Sequence, residues 1–169
     1  AVAEESAPTS WPVRPIGVIR SPFAQPAGAP VQGALEPGHR GTVEVFDEFA
    51  EALDGVEGFS HLTLVYLFHR ADGWAPKVHP FLDEAAHGLF ATRAPRRPNP
   101  IGLSVVRLVG RRGCVLDVED LDVVDGTPLL DIKPHVPEFD CRPGAVIGWL
   151  EGKLKRPERR RADDRFERD

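Results

Sequence analysis

The chain is 169 residues long, 41% hydrophobic and 28% charged, with a formal net charge of −5. That length supports one soluble domain with a single core, and no run of about twenty apolar residues offers a membrane span. The N-terminus has no basic stretch followed by an apolar one, so no secretory signal is visible, and two cysteines, Cys114 and Cys141, without metal-type spacing point to a reducing cytoplasm rather than a disulfide scaffold.

Residues 1–12, rich in Ala, Ser, Pro and Glu, read as a flexible tail. Short runs of Val, Leu and Ile follow, broken by Gly, Pro or Asp. They predict strands over Val13 to Arg20, Gly41 to Phe46, His61 to Phe68, Ile101 to Val109, Cys114 to Val118 and Leu129 to Ile132. Glu48 to Leu53 suits one short helix, with Asp47 as its N-cap and Gly55 near its end. A second short helix is expected around Phe81 to His87. The result is an all-β domain over residues 13–150, a barrel or a sandwich with one or two short helices. A charged tail, residues 151–169, closes the chain. From Gly152 onward it carries eight Lys or Arg against five Asp or Glu, including Arg159-Arg160-Arg161. A solvated tail explains it better than an RNA contact does.

Two segments stand out from this pattern. FATRAPRRPNPIGLS, residues 90–104, carries Arg93, Arg96, Arg97 and Asn99 among three prolines. The prolines fix their own φ and restrict the residue before each, so the arginines sit on stiff backbone. Stiff backbone with guanidinium groups suits an anionic or planar ligand. DLDVVDGTPLLDIKPHVPEFD, residues 120–140, holds the turn signal Asp125-Gly126 between two apolar runs, then Asp131 and Lys133 at alternate positions, on one face of a strand.

Histidines do not gather. His61 and His69 are eight residues apart on one expected strand, too far to share a metal. No metal site is expected. His69, followed by Arg70, ends an apolar strand, a common position for ligand contacts. Tyr66, the sole tyrosine, reads as packed within a strand. No GxGxxG follows a strand, so a Rossmann-type site is not supported.

Four segments together resemble the TsaA/TrmO-like family of S-adenosylmethionine-dependent tRNA methyltransferases. They are PIGVIRSPF (15–23), GFSHLTLVYLFHR (58–70), GLFATRAPRRPNPIGLSVVRL (88–108) and DLDVVDGTPLLDIKPHVPEFD (120–140). The resemblance implies a small β-barrel that binds S-adenosyl-L-methionine and forms homodimers. It implies cofactor contacts at Pro30, Val31, Gln32, His69, Arg70, Arg93, Leu103, Asp125, Gly126, Thr127 and Pro128. The element at residues 30–32 is the loosest match, because Val31 stands where members often carry a basic residue.

The reaction implied is methyl transfer to the exocyclic nitrogen of threonylcarbamoyladenosine next to the tRNA anticodon. Asn99, Asp131 and Lys133 are the expected catalytic residues, and Arg96 and Arg97 the RNA contacts. A second copy is expected to cover an open strand edge of the barrel. The partners implied are tRNA and a second copy, with neither membrane nor metal. The alternatives are a methyltransferase for another RNA or a small molecule, and a non-catalytic S-adenosylmethionine-binding module.

Overall fold

Alternation of apolar and polar residues sets the architecture. In the computed structural model, which describes residues 10–154 and 161–163, there are eight strands: β1 (Gly17–Arg20), β2 (Gly41–Val45), β3 (His61–Leu67), β4 (Lys77–Val78), β5 (His87–Gly88), β6 (Ile101–Arg112), β7 (Val115–Glu119) and β8 (Thr127–Pro134). Six of them close a barrel in the order β1-β2-β7-β6-β3-β8, with β8 returning to β1. Every pairing is antiparallel. β4 and β5 form a separate small hairpin.

In β3, Leu62, Leu64 and Tyr66 point inward while His61, Thr63 and Val65 face out. β6 buries Gly102, Ser104 and Val106 and exposes Ile101, Leu103 and Val105. Ile19, Val43, Leu116, Val118 and Leu129 complete the interior. Each such side chain contributes roughly 1.5–3 kcal/mol when fully buried.

The barrel, one of the two architectures left open, is thus the one adopted, and all six expected strands lie in it. Three local expectations need correction. The helix foreseen at Glu48 to Leu53 is a 3-10 helix over Asp47–Leu53, with Phe46 at its N-cap and no side-chain cap, so Asp47 lies in the first turn. Phe81 to His87 is turn followed by β5, not helix. There the carboxylate of Asp83 takes up His87 and Lys153 side chains instead of capping a helix. The one α-helix among the described residues, α1 (Pro137–Asp140), was not foreseen.

The main sheet also has no open edge, because it closes on itself. The edge-covering reason for a second copy therefore does not apply.

Candidate functional site

A cavity of about 1070 Å³ opens between the loops at one end of the barrel. Its first wall is the loop after β1, where Pro30, Val31 and Gln32 all line the space. Gly33 fixes this loop. A Cβ there would lie 1.9 Å from the backbone oxygen of Asp120, so only glycine permits the approach. The Gly33 N–H then donates to Asp122 Oδ2 at 2.8 Å. Asp120 itself has φ 69, unusual for a residue with a side chain, and its carboxylate accepts the Gly38 N–H at 2.7 Å.

Below the loop lies a polar cluster set into the barrel. The Tyr66 hydroxyl is 3.0 Å from Ser104 Oγ, and Ser104 Oγ donates to Asp122 Oδ1. Tyr66 and Asp122 both line the cavity. Burial pushes the Asp122 carboxyl up, against the hydrogen bonds from Ser104 and Gly33 and the charge of Arg93. Burial, with the charge of Asp122, pushes the Tyr66 phenol up as well. Arg93 Nη1 donates to Gln32 Oε1 at 2.8 Å and so ties the proline-rich segment to the first wall.

His69, Arg70 and Arg96 occupy the rim. Burial, then the adjacent Arg70, lowers the His69 pKa, which favours the neutral ring. Arg70 Nη1 donates to Ala24 O at 2.6 Å. Arg96 Nε donates to Asp72 O at 2.6 Å. Arg97 is turned to the chain itself. Its Nη1 donates to Thr92 O at 3.0 Å and, more distantly, to Leu89 O and Ala94 O, and its guanidinium lies over Phe90.

Of the fixed turn, only Thr127 lines the cavity. Asp125-Gly126 is not a hairpin turn, because β7 and β8 are not neighbours. It braces the loop after β1 instead. Asp125 Oδ1 accepts the Ser21 N–H at 3.1 Å, and the Asp125 N–H donates to Phe23 O at 2.8 Å. Gly126 has φ 76 and donates to Ile19 O. Pro128 pairs with Val18 in the sheet.

Leu103, Asp131 and Lys133 lie elsewhere, on the outer wall of the barrel. Leu103, Val65 and Asp131 form one row across β6, β3 and β8. Val105, Thr63 and Lys133 form the next. The expected alternate-position pair is real, with Lys133 Nζ 2.7 Å from Asp131 Oδ2. Asn99 is exposed and does not line the cavity.

The last wall comes from the C-terminal segment. Trp149 Nε1 donates to Ala91 O at 2.7 Å, and its ring stacks on His87. Ala162 exchanges backbone hydrogen bonds with Gly28 and Ala29, both at 2.8 Å. Arg161 pairs with Glu36. Of the basic cluster singled out in sequence, Arg161 is thus engaged with the body, while Arg159 and Arg160 lie outside the described residues, as do residues 1–9 of the expected N-terminal tail.

Sequence reasoning missed Asp122, Ser104 and the closing segment. Asp122 did leave a signal: an acid between the apolar Leu121 and Val123 either faces water or needs buried partners. The assembled site combines apolar walls, a half-buried carboxylate and an arginine–glutamine pair. It suits a ligand with a flat body and several polar edges. Among the described residues, no three His, Cys, Asp or Glu gather as a metal would need.

Residues 18–141 match a family model described as the tRNA-methyltransferase O N-terminal domain. A probable S-adenosyl-L-methionine-binding protein of Pyrococcus abyssi (strain GE5 / Orsay) is 56% identical over 153 residues, 90% of this chain and 83% of that one. The tRNA (adenine(37)-N6)-methyltransferase of Escherichia coli (strain K12) is 39% identical over 153 residues, 85% of this chain and 65% of that one. A crystal structure of TrmO from Pseudomonas aeruginosa matches with a TM-score of 0.71 at 43% identity, covering 83% of this chain and 63% of the other. This chain therefore spans under two thirds of that enzyme and of that crystal chain.

Proposed function

The chain belongs to the tRNA-methyltransferase O N-terminal domain family, and from that premise we propose that it is an S-adenosylmethionine-dependent methyltransferase acting on the exocyclic nitrogen of threonylcarbamoyladenosine next to the tRNA anticodon. The observation that carries this reading is one cavity bordered at once by Gln32, His69, Arg70, Arg93, Arg96 and Thr127. Those residues were singled out for cofactor and RNA from separate stretches of sequence.

The cavity suits the cofactor. At about 1070 Å³ it holds more than one drug-sized ligand needs. Arg93 offers a guanidinium to a carboxylate, and Pro30 and Val31 offer apolar cover to a ring. Bound there, S-adenosylmethionine supplies the methyl group, carried on a positive sulfonium. Neutral His69 adds no second positive charge near it. The residues of this chain act mainly by holding the acceptor nitrogen in line. Asp125 and Gly126 brace the cofactor loop from outside the cavity, with Pro128 next in the strand. Arg96 at the rim takes substrate phosphate, while Arg97 holds the loop that carries it.

A homodimer is part of this reading. The outer stripe of β6 exposes Ile101 (43%), Leu103 (52%) and Val105 (42%) in succession, an apolar strip that a face-to-face second copy would cover. In such a pair Leu103, Asp131, Lys133 and Asn99 would border the second copy's cavity instead of their own. Light scattering is expected at twice the 18.6 kDa chain mass; a monomer at working concentration would refute the pairing.

The decisive test of the function is nucleoside mass spectrometry of anticodon loops. A strain lacking its own enzyme of this type should accumulate unmethylated threonylcarbamoyladenosine, and expression of this chain should convert it to the methylated form. Unchanged nucleosides with soluble chain present would sink the reading.

A further inference from the structure

We propose that Asp122, reached through Ser104 and Tyr66, is the proton acceptor of methyl transfer; this rests on the methyltransferase reading above. An acceptor nitrogen bearing a carbamoyl group is weakly nucleophilic and must lose its proton as it gains the methyl group. The carboxylates Asp72 and Asp163 border the cavity only at its exposed rim. Asp131 is on the outer wall, ion-paired with Lys133. Asp122 is the carboxylate set into the floor.

The hydrogen bonds give the relay a direction. Ser104 Oγ donates its proton to Asp122 Oδ1. Its oxygen is then free to accept, so the Tyr66 hydroxyl, 3.0 Å away, is the donor in that pair. This leaves a lone pair of the Tyr66 oxygen for an N–H in the cavity. As the nitrogen–methyl bond forms and the sulfur–methyl bond breaks, the sulfur leaves as a neutral thioether. The nitrogen's proton passes to Tyr66, the Tyr66 proton to Ser104 and the Ser104 proton to Asp122. No charge is left over and no further reactant is needed.

The surroundings hold the relay still. The Tyr66 ring fits only because residue 102 is glycine, since a Cβ there would lie 2.2 Å from Tyr66 Cε2. Phe68 packs edge-on against the ring. The second oxygen of Asp122 is occupied by the Gly33 N–H, so the oxygen facing Ser104 is the one that takes the proton. Burial raises the affinity of that carboxylate for a proton, as a base of this kind needs. The positive charge of Arg93 acts on both Tyr66 and Asp122.

The sole tyrosine makes the test direct, because chain labelled at tyrosine Cζ gives one resonance, from Tyr66. That resonance is expected to shift with pH as Asp122 takes its proton, and to lose the shift in Asp122→Asn. Single-turnover methyl transfer is expected to rise with pH through the same midpoint and then level off. Asp122→Asn and Tyr66→Phe should lower the rate about 10²–10⁴-fold, the usual worth of a positioned acid or base, and leave cofactor affinity within about threefold. Asp122→Asn should also lose the acid limb of the rate profile. Since folding raises the Asp122 pKa, its ionised form costs stability as pH rises through that value, so the asparagine variant should melt no lower than wild type at neutral pH. Ser104→Ala, which keeps the carboxylate, is the second variant and should lose rate likewise. Wild-type rate with an intact acid limb in Asp122→Asn, or a Tyr66 resonance that ignores pH, overturns the relay. Wild-type chain that methylates no tRNA fails the function reading itself. A titrating resonance would then mark the network as structural, and the relay would fall with that reading.

Discussion

Gly33→Ala is expected to lower cofactor affinity about 10–100-fold and to destabilise the fold by about 1–3 kcal/mol. The added carbon would meet the Asp120 backbone oxygen at 1.9 Å, and neither backbone can yield without moving the loop. Overpacking of this kind costs roughly 1–3 kcal/mol. The displaced N–H also leaves Asp122 Oδ2, and a hydrogen bond to a charged group is worth about 1.5–3 kcal/mol. Gln32, next in the chain, loses its position against Arg93. Gly110→Ala is the control, because it lies in β6 with open space where a Cβ would sit. Calorimetric unfolding and cofactor titration of both variants read the difference. Equal behaviour of the two would show that the close approach at Gly33 does not shape the site.

Arg93→Ala and Arg96→Ala are expected to separate cofactor binding from RNA binding. Arg93 is coupled to Gln32 and carries its charge over the Tyr66–Asp122 floor. Loss of a charge-assisted hydrogen bond to the cofactor should weaken its binding by about 10–100-fold, at 1.4 kcal/mol for each tenfold, with little change in the salt dependence of tRNA binding. Arg96 sits at the rim, where its Nε donates to Asp72 O. Its removal should spare cofactor affinity, weaken tRNA binding and flatten the salt slope by about one unit, the contribution of one phosphate contact. Arg97→Ala is a poorer probe, since its guanidinium holds three carbonyls of the Leu89–Ala94 turn. Cofactor calorimetry and tRNA binding at several salt concentrations decide the matter. Loss of cofactor affinity in both variants, with tRNA binding untouched, would remove the division.

The barrel strands were legible because their signal is local. Alternation in HLTLVYL and IGLSVV specifies which residues turn inward before any partner strand is known. Closure depends on β1 meeting β8, a pairing that no short-range pattern carries; it was the family resemblance, not the alternation, that implied a barrel. The same distinction runs through the site. Arg93 and Arg96 declare themselves by an unusual proline-rich setting. Ser104 looks like any small residue of a strand, and its meaning comes from Tyr66 and Asp122, which reach it from a neighbouring strand and a distant loop. Leu103 and Asp131 were grouped with the cofactor and catalytic residues, yet strand parity turns both outward, and side chains reach their own cavity only from the inner face of the wall.

The meeting of β1 and β8 bears on how the protein is made. Gly17 lies opposite Leu129 and Ile19 opposite Thr127, so the ring cannot close during synthesis until almost the whole domain has left the ribosome. Pairings this distant in sequence form slowly. The loop braced by Asp125 and Ser21 stands at that seam, beside the cofactor wall. The binding site is therefore among the last parts to be completed, and a ligand that needs both sides of the seam will recognise only chains whose ring has closed.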